Sequence, residues 1–328
     1  MLVLGQAEVE ELLDMDALID ALGAALADLS AGRASVPDRI AAHVDEREAF
    51  LAAMPGYTPS AGALACKLVT LFPRNAGTPL PTHQAVIAVF DPHDGRPTAL
   101  LDGTAITAIR TGATSALATR LLAREDAATI AILGTGVQAR SHARAVTRVR
   151  PFRELRVAGR SPAKASALAE ELAGELDLTV RVSESWEEAS AGADVVCATT
   201  HALEPVVRRA WLAPGAHVNS VGYNPQGREV DDATVADALV VVESRAAALG
   251  PLPAGSNDLL QPIARGLIGP DHVHAELGEL VTGACPGRTS SEQITLYKSV
   301  GVAVEDGAAA ALVLQAARER GAGREIDL

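Results

Sequence analysis

The segment Thr129-Ile-Ala-Ile-Leu-Gly-Thr-Gly-Val-Gln-Ala139 runs an apolar stretch straight into a G-x-G-x-x-A pattern. Each small residue has a task in holding a dinucleotide. Gly134 permits the tight turn, Gly136 lets backbone approach a pyrophosphate, and Ala139 lets the following helix pack on the strand. The helix N-terminus supplies the anion site. Gly134, Thr135, Gly136, Val137 and Gln138 are therefore candidate cofactor contacts. In an NAD site an acid follows the second strand, roughly 20 residues after the motif, and holds the ribose 2′-hydroxyl. Here the residues are Ala158-Gly159-Arg160-Ser161, with no carboxylate. Arg160 can pair a 2′-phosphate and Ser161 can bond it, so NADP(H) is favoured and NAD(H) stays possible. Ser161-Pro162 also has the form of a helix N-cap and first helical residue, and both readings of Ser161 stand.

A second feature with chemical content is Lys67, which sits inside an apolar strand run where an unpaired charge is costly. A partner or a function is expected for it. The chain carries 28 basic and 41 acidic residues, a formal charge of −13, which disfavours nucleic acid and anionic membrane as partners. An anionic substrate must therefore meet a local group of cations. Cys66, Cys197 and Cys285 are widely spaced and odd in number, giving neither a disulfide framework nor a zinc pattern. With no basic leader and no membrane-length apolar run, the chain is expected to be soluble, unprocessed and cytoplasmic.

The elements that must position these residues fall into two textures. Leu18, Leu22, Leu26 and Leu29 lie at helical spacing within Asp14 to Ala31, stopped by Gly32. Strand-like runs follow at Leu64 to Leu71, Ala85 to Phe90 and, after the turn Asp91-Pro-His-Asp-Gly95, Thr98 to Leu101. This half reads as α+β with an antiparallel sheet. From about residue 114, strands at Thr129 to Leu133, Glu154 to Ala158, Asp194 to Thr199, His217 to Val221 and Ala238 to Val242 alternate with alanine-rich helices. That alternation specifies a parallel sheet covered by helices. Thr199 and Thr200 at one strand end fall where a dinucleotide crosses an open sheet, with packing or turn roles as the alternative; Val221 ends another strand and is added as a cofactor contact. A single long helix is expected from Ser290, with Gln293 completing a capping box, to Gly321.

The predicted fold is thus α/β: a Rossmann-type parallel-sheet domain at 114–300, plus a discontinuous α+β substrate and dimerisation domain at 1–113, to which 301–328 returns.

Over nearly its whole length the sequence resembles the ornithine cyclodeaminase/mu-crystallin family. The resemblance is carried by Met54-Pro55, Lys67-Leu-Val-Thr70, Leu80-Pro-Thr82, Ala99-Leu-Leu-Asp-Gly103 and Arg110-Thr111. It continues through Leu133-Gly-Thr-Gly-Val-Gln-Ala139, Trp211-Leu-Ala-Pro-Gly215, Glu229-Val-Asp231, Gly278-Glu-Leu280 and Ile294-Thr-Leu-Tyr-Lys-Ser-Val-Gly301. It implies a substrate domain built from both chain ends, usually forming a homodimer through its sheet. It also implies a small amino or imino acid held by its carboxylate, with Arg39, Lys67 and Arg110 as the matching cations. Met54 and His83 are taken as further substrate contacts; a hydrogen-bonded structural role for His83 is the alternative. Lys67 is in addition the candidate catalytic group, as proton donor or polarising cation.

The chemistry implied is hydride transfer between nicotinamide C4 and the α-carbon of an amino or imino acid. The family's cyclodeaminases look as if they place an aspartate before a Pro-Gly-Lys-x-Glu segment. In Ser220-Val-Gly-Tyr-Asn-Pro-Gln-Gly-Arg-Glu229, anchoring on Pro225 and Glu229 puts Tyr223 at that position. A phenol with an ordinary pKa of about 10 is a poor base near neutrality. The expectation is therefore an imine (ketimine) reductase or amino acid dehydrogenase. The alternatives are a redox-neutral, ammonia-releasing ornithine cyclodeaminase and, more remotely, a non-catalytic NADPH-binding protein like the lens crystallins. No metal site is expected from His272 and His274, and Cys197 reads as a small buried hydrophobe.

Overall fold

The computed structural model describes residues 1–327. They divide into two compact units, one of Met1–Arg110 with the segment from Val302 onward, the other of Thr111–Gly301.

The first unit is built on a seven-stranded sheet. Its strands are β1 (Leu2–Leu4), β2 (Ile40–Val44), β3 (Ala49–Thr58), β4 (Ala63–Leu71), β5 (His83–Phe90), β6 (Pro97–Asp102) and the short C-terminal strand Arg324–Glu325. Their spatial order is C-terminal strand, β1, β6, β5, β4, β3, β2. The run β2 to β6 is antiparallel, but β1 joins β6 in parallel, so the expected antiparallel sheet is in fact mixed. Helices α1 (Gln6–Leu12) and α2 (Met15–Ser30) lie between β1 and β2 in the chain, and α3 (Gly103–Leu122) follows β6. Helix α2 starts where the Asp14 side chain accepts the Ala17 N–H at 2.8 Å, and its buried Leu18, Leu22 and Leu26 pack toward the C-terminal helix Ala303–Arg320.

Period-two alternation gives the sheet two different faces. Met54, Lys67, Ile87 and Leu101 form one cross-strand row through β3, β4, β5 and β6, and all four are buried. The neighbouring row on the other face, Ile40, Ala53, Leu68 and Val86, is open to solvent, with Ile40 71% exposed.

The second unit holds an eight-stranded sheet whose paired strands all run parallel. These are β7 (Thr129–Leu133), β8 (Glu154–Ala158), β9 (Thr179–Val182), β10 (Val195–Ala198), β11 (His217–Ser220), β12 (Leu239–Val242), β13 (Val273–Glu276) and β14 (Thr295–Lys298), in the order β13-β12-β14-β11-β10-β7-β8-β9. Helices α4 (Val137–Val146) and α5 (Pro162–Glu175) connect β7 to β8 and β8 to β9. Strands covered on both faces read as unbroken apolar runs, and Val195–Ala198 is buried at every residue. The order reverses between β7 and β10, which creates a crevice at the carboxyl ends of those two strands.

The long helix expected from Ser290 is not formed. Thr295–Lys298 is instead a fully buried strand between β11 and β12, and the helix begins at Ala303. The capping-box spacing misled because the Gln293 carboxamide oxygen accepts from Thr289 N–H within a loop. The true start is fixed by Glu305, whose carboxylate accepts the Val302 N–H at 2.8 Å. Strands β1, β2, β3, β9, β13, β14 and the short C-terminal strand were not anticipated. In β3 the interior Pro55 and Gly56 hide the alternation that the other strands display.

Candidate active site

The turn at the crevice in the second unit has one position, Gly134, that favours glycine over any other residue. Gly134 has φ +127°, and a Cβ there would lie 2.6 Å from Thr199 Oγ1. Thr199 is held under it, donating from both N–H and hydroxyl to the Leu133 carbonyl. Gly136, in contrast, has nothing within 4 Å of a would-be Cβ, and it precedes α4 with no side chain capping the first turn. Uncapped N–H groups beside open space fit a pyrophosphate, so the residues present suit a dinucleotide. Val137 stands 65% exposed at the same turn, an apolar surface next to that space. The Thr135 carbonyl accepts from Arg140, itself paired with Glu171 at 2.8 Å, so the loop is fixed from behind.

After β8, a Cβ at Gly159 would meet Thr135 Cγ2 at 2.6 Å, which explains the glycine where an acid is usual. Arg160 is exposed and makes no ion pair among the described residues. Ser161 caps α5, its Oγ accepting from Lys164 N–H at 3.4 Å. Val221 follows β11, half-buried, with its N–H bonded to the Ala198 carbonyl.

Sequence reasoning missed the carboxylate that organises this edge. Glu229 is buried and accepts from Thr200 N–H and Oγ1, Ser220 Oγ and Gly222 N–H, joining the loops after β10 and β11. Lys298, also buried, pairs with Asp258 at 3.0 Å and donates to Ser220 Oγ and the Gly222 carbonyl. Glu243 collects Ser299 Oγ and the Val300 and Gly301 N–H groups beyond β14. A signal for Glu229 was present in the Glu229-Val-Asp231 motif, but a lone acid in a loop does not announce its partners. Thr200 is thus committed to Glu229, and Tyr223 follows directly on Gly222, its carbonyl bonded to His201 Nδ1 at 2.8 Å.

The cation cluster lies in the first unit. Lys67, on the buried row of β4, is 3% exposed and pairs with Asp306 at 2.7 Å. Arg110 on α3 donates from Nε to Asp306 at 3.0 Å and from a terminal nitrogen to Glu305 at 2.9 Å. Asp306 therefore bridges the two cations, and Met54 stands opposite Lys67 across the β3–β4 pair. Burial pushes the Lys67 ammonium below its ordinary range, with Asp306 opposing and Arg110 adding to the shift. Burial would raise the Asp306 carboxyl, but Lys67 and Arg110 outweigh it and hold it low. Arg39 is half-buried just before β2, and His83 opens β5 exposed, its Nδ1 3.1 Å from Thr82 Oγ1. Neither acid of the C-terminal helix was singled out in the sequence, because Glu305 and Asp306 lie some 195 residues from Arg110.

The remaining candidates have other employment. His272 and His274 bond the Val235 and Pro286 carbonyls, and no metal-sized group of ligands occurs among the described residues. Cys197 is buried, its thiol pushed up to about 12 by burial, with Asn219 Nδ2 3.5 Å away.

The sequence model of the ornithine cyclodeaminase/mu-crystallin family matches residues 1–321. The chain belongs to that family. It is 42% identical over 300 residues, 90% of each chain, to ketimine reductase mu-crystallin of Mus musculus. It is 37% identical over 329 residues, all of both chains, to a Δ1-pyrroline-2-carboxylate reductase of Bacillus cereus. The solved structure of Thermococcus litoralis Δ1-pyrroline-2-carboxylate reductase with NADH and L-proline superposes with a TM-score of 0.95 at 39% identity, covering 99% of this chain and 100% of that one. Within the ornithine cyclodeaminase/mu-crystallin family these relatives are reductases of C=N bonds, two of them acting on a five-membered cyclic imine.

Proposed function

We propose that this chain is a reductase of small ketimine carboxylates, running a five-membered imine to L-proline or a close analogue, with NADP(H) preferred. The coarser activity, NAD(P)H-dependent reduction of C=N by hydride transfer, is that of the enzymes it matches across its length. The observation that carries the finer reading is the buried Lys67–Asp306–Arg110 bridge, two cations held at fixed positions where burial makes a carboxylate ligand worth far more than in water. Lys67 and Arg110, with Arg39, clamp the substrate carboxylate; Met54 and His83 line the site; Lys67 is the proton donor or polarising group. When bound, the cofactor supplies the hydride. Gly134 to Gln138 hold its pyrophosphate side, Thr199, Thr200 and Val221 border its path, and Glu229 fixes the loops around it. The test is a screen of NADPH oxidation against cyclic imine carboxylates and against 2-oxo acids with amines; no turnover on any imine defeats the reading.

Exposed Arg160 and the blocked position at Gly159 support the NADP(H) preference, with Ser161 contributing through its cap as much as through a phosphate bond. NADPH is expected to bind at least tenfold tighter than NADH, about 1.4 kcal/mol, and Arg160→Asp to reverse the order. Fluorescence titration giving equal affinities contradicts it.

The open apolar row Ile40, Ala53, Leu68 and Val86 supports a homodimer joined through this sheet face. Sedimentation at micromolar concentration is expected to give twice the 33.8 kDa chain mass, and Leu68→Lys to give the single mass; a wild-type monomer disposes of it. A cytoplasmic location is the reading that three unpaired cysteines support.

A further inference from the structure

Two glycines near the dinucleotide turn exclude side chains for different reasons. Gly134 does so through its backbone, at φ +127°. Gly159 is not among the positive-φ residues, so its backbone admits any side chain. What stands in the way is one methyl group. A Cβ at Gly159 would lie 2.6 Å from Thr135 Cγ2, while the next nearest atoms, Ala165 Cβ and Thr135 Cβ, are both at 3.8 Å, an ordinary contact distance. Without that methyl a side chain fits. Thr135 does not turn it aside cheaply: threonine is stiff at χ1, and two of its three staggered rotamers aim a heavy atom, carbon or oxygen, along the direction Cγ2 now takes. Nor is the turn free to yield, because the Thr135 carbonyl accepts from Arg140 at 3.1 Å and Arg140 is paired with Glu171 at 2.8 Å.

We propose that Thr135 is a specificity residue for the cofactor: its methyl group closes position 159 to the acid that would hold an NAD(H) ribose 2′-hydroxyl, and so keeps the end of β8 open to a ribose 2′-phosphate. This rests on the dinucleotide site and the NADP(H) preference proposed above, and it makes that preference a property of two loops rather than of Arg160 alone. Gly159 directly follows β8, where an NAD site carries its acid. A carboxylate there would repel a phosphate on the same ribose, and the Thr135 methyl keeps it out by volume before charge is involved. Exposed Arg160 is then the charged group next in line to meet the 2′ substituent.

The test is a double-mutant cycle on the whole chain, with dissociation constants for NADH and NADPH from fluorescence titration. Gly159→Asp alone is expected to weaken both cofactors at least tenfold, because the turn must shift to admit it. With Thr135→Ala added, NADH is expected to bind at least tenfold more tightly than to Gly159→Asp alone, and more tightly than NADPH. Thr135→Val with Gly159→Asp keeps a methyl in the way and is expected to behave like Gly159→Asp alone. Gly159→Ala, which adds one methyl and no charge, guards against an aspartate variant that does not fold. It is expected to lower the unfolding temperature in the wild-type background and not in the Thr135→Ala background. Native-strength NADH binding by Gly159→Asp alone, or effects of the two substitutions that simply add, overturns the proposal. If instead the wild-type chain binds NADH and NADPH equally, it is the NADP(H) preference that falls, and the coupling of positions 135 and 159 is still decided by the NADH constants.

Discussion

Replacing Lys67 by alanine is expected to lower kcat/KM for an imine carboxylate by about two orders of magnitude or more, roughly 3 kcal/mol, while NADPH still binds with near-native affinity. Lys67 is buried, and in the proposed clamp it makes a charge-assisted bond to the substrate carboxylate, so on that proposal its loss removes both affinity and the angle at which the α-carbon is held. Arg110→Ala is expected to cost at least as much activity and, unlike Lys67→Ala, a further few kcal/mol of stability. The two variants differ because Asp306 keeps Arg110 when Lys67 is gone, whereas removing Arg110 takes from Glu305 the cation it faces at 2.9 Å. Steady-state kinetics, cofactor titration and thermal unfolding on the same preparations separate these effects. Near-native kinetics in both variants would remove the pair from the site.

How much of this was readable in the sequence follows the range of the interaction. The dinucleotide turn was legible because its chemistry is local: a strand, two glycines and a helix start within a dozen residues leave few other structures. Thr129–Leu133 and Glu154–Ala158 have the predicted bounds for the same reason. Lys67 stood out because a lysine in an apolar run demands a partner, but the sequence could not say that the partner is Asp306. Nor could it show that Glu229 spans the loops after β10 and β11, since those three segments meet only when the sheet forms. The strand at Thr295–Lys298 was lost for a related reason. Its place between β11 and β12 is a matter of topology, while the Ser290-to-Gln293 spacing imitated a local helix signal. Ser161, left open between cap and phosphate ligand, is a cap; that role leaves its hydroxyl hydrogen free to donate.

The other large effect concerns which reaction of the family this chain carries out. Cyclodeamination of ornithine takes hydride from the α-carbon, lets the side-chain amine attack the imine, expels ammonia and returns the hydride. That sequence needs a base near both nitrogens. In the loop from Ser220 to Glu229 the position matched to the cyclodeaminase aspartate is Tyr223. The one carboxylate of that loop, Glu229, is buried and already accepts four hydrogen bonds. Reducing a preformed imine needs hydride and a clamp, which this chain's residues support without that base. L-Ornithine with catalytic NADP⁺ is therefore expected to yield proline at no more than about a hundredth of the rate at which a cyclic imine carboxylate is reduced, an energy difference of about 2.7 kcal/mol.

The most direct measurement is a product balance on the purified protein. Δ1-Pyrroline-2-carboxylate with NADPH is expected to give one proline for each NADPH oxidised. L-Ornithine with catalytic NADP⁺ is expected to give neither proline nor ammonia at a comparable rate. Rapid release of proline and ammonia from ornithine, with no net change in NADPH, would contradict the account and make the chain a cyclodeaminase.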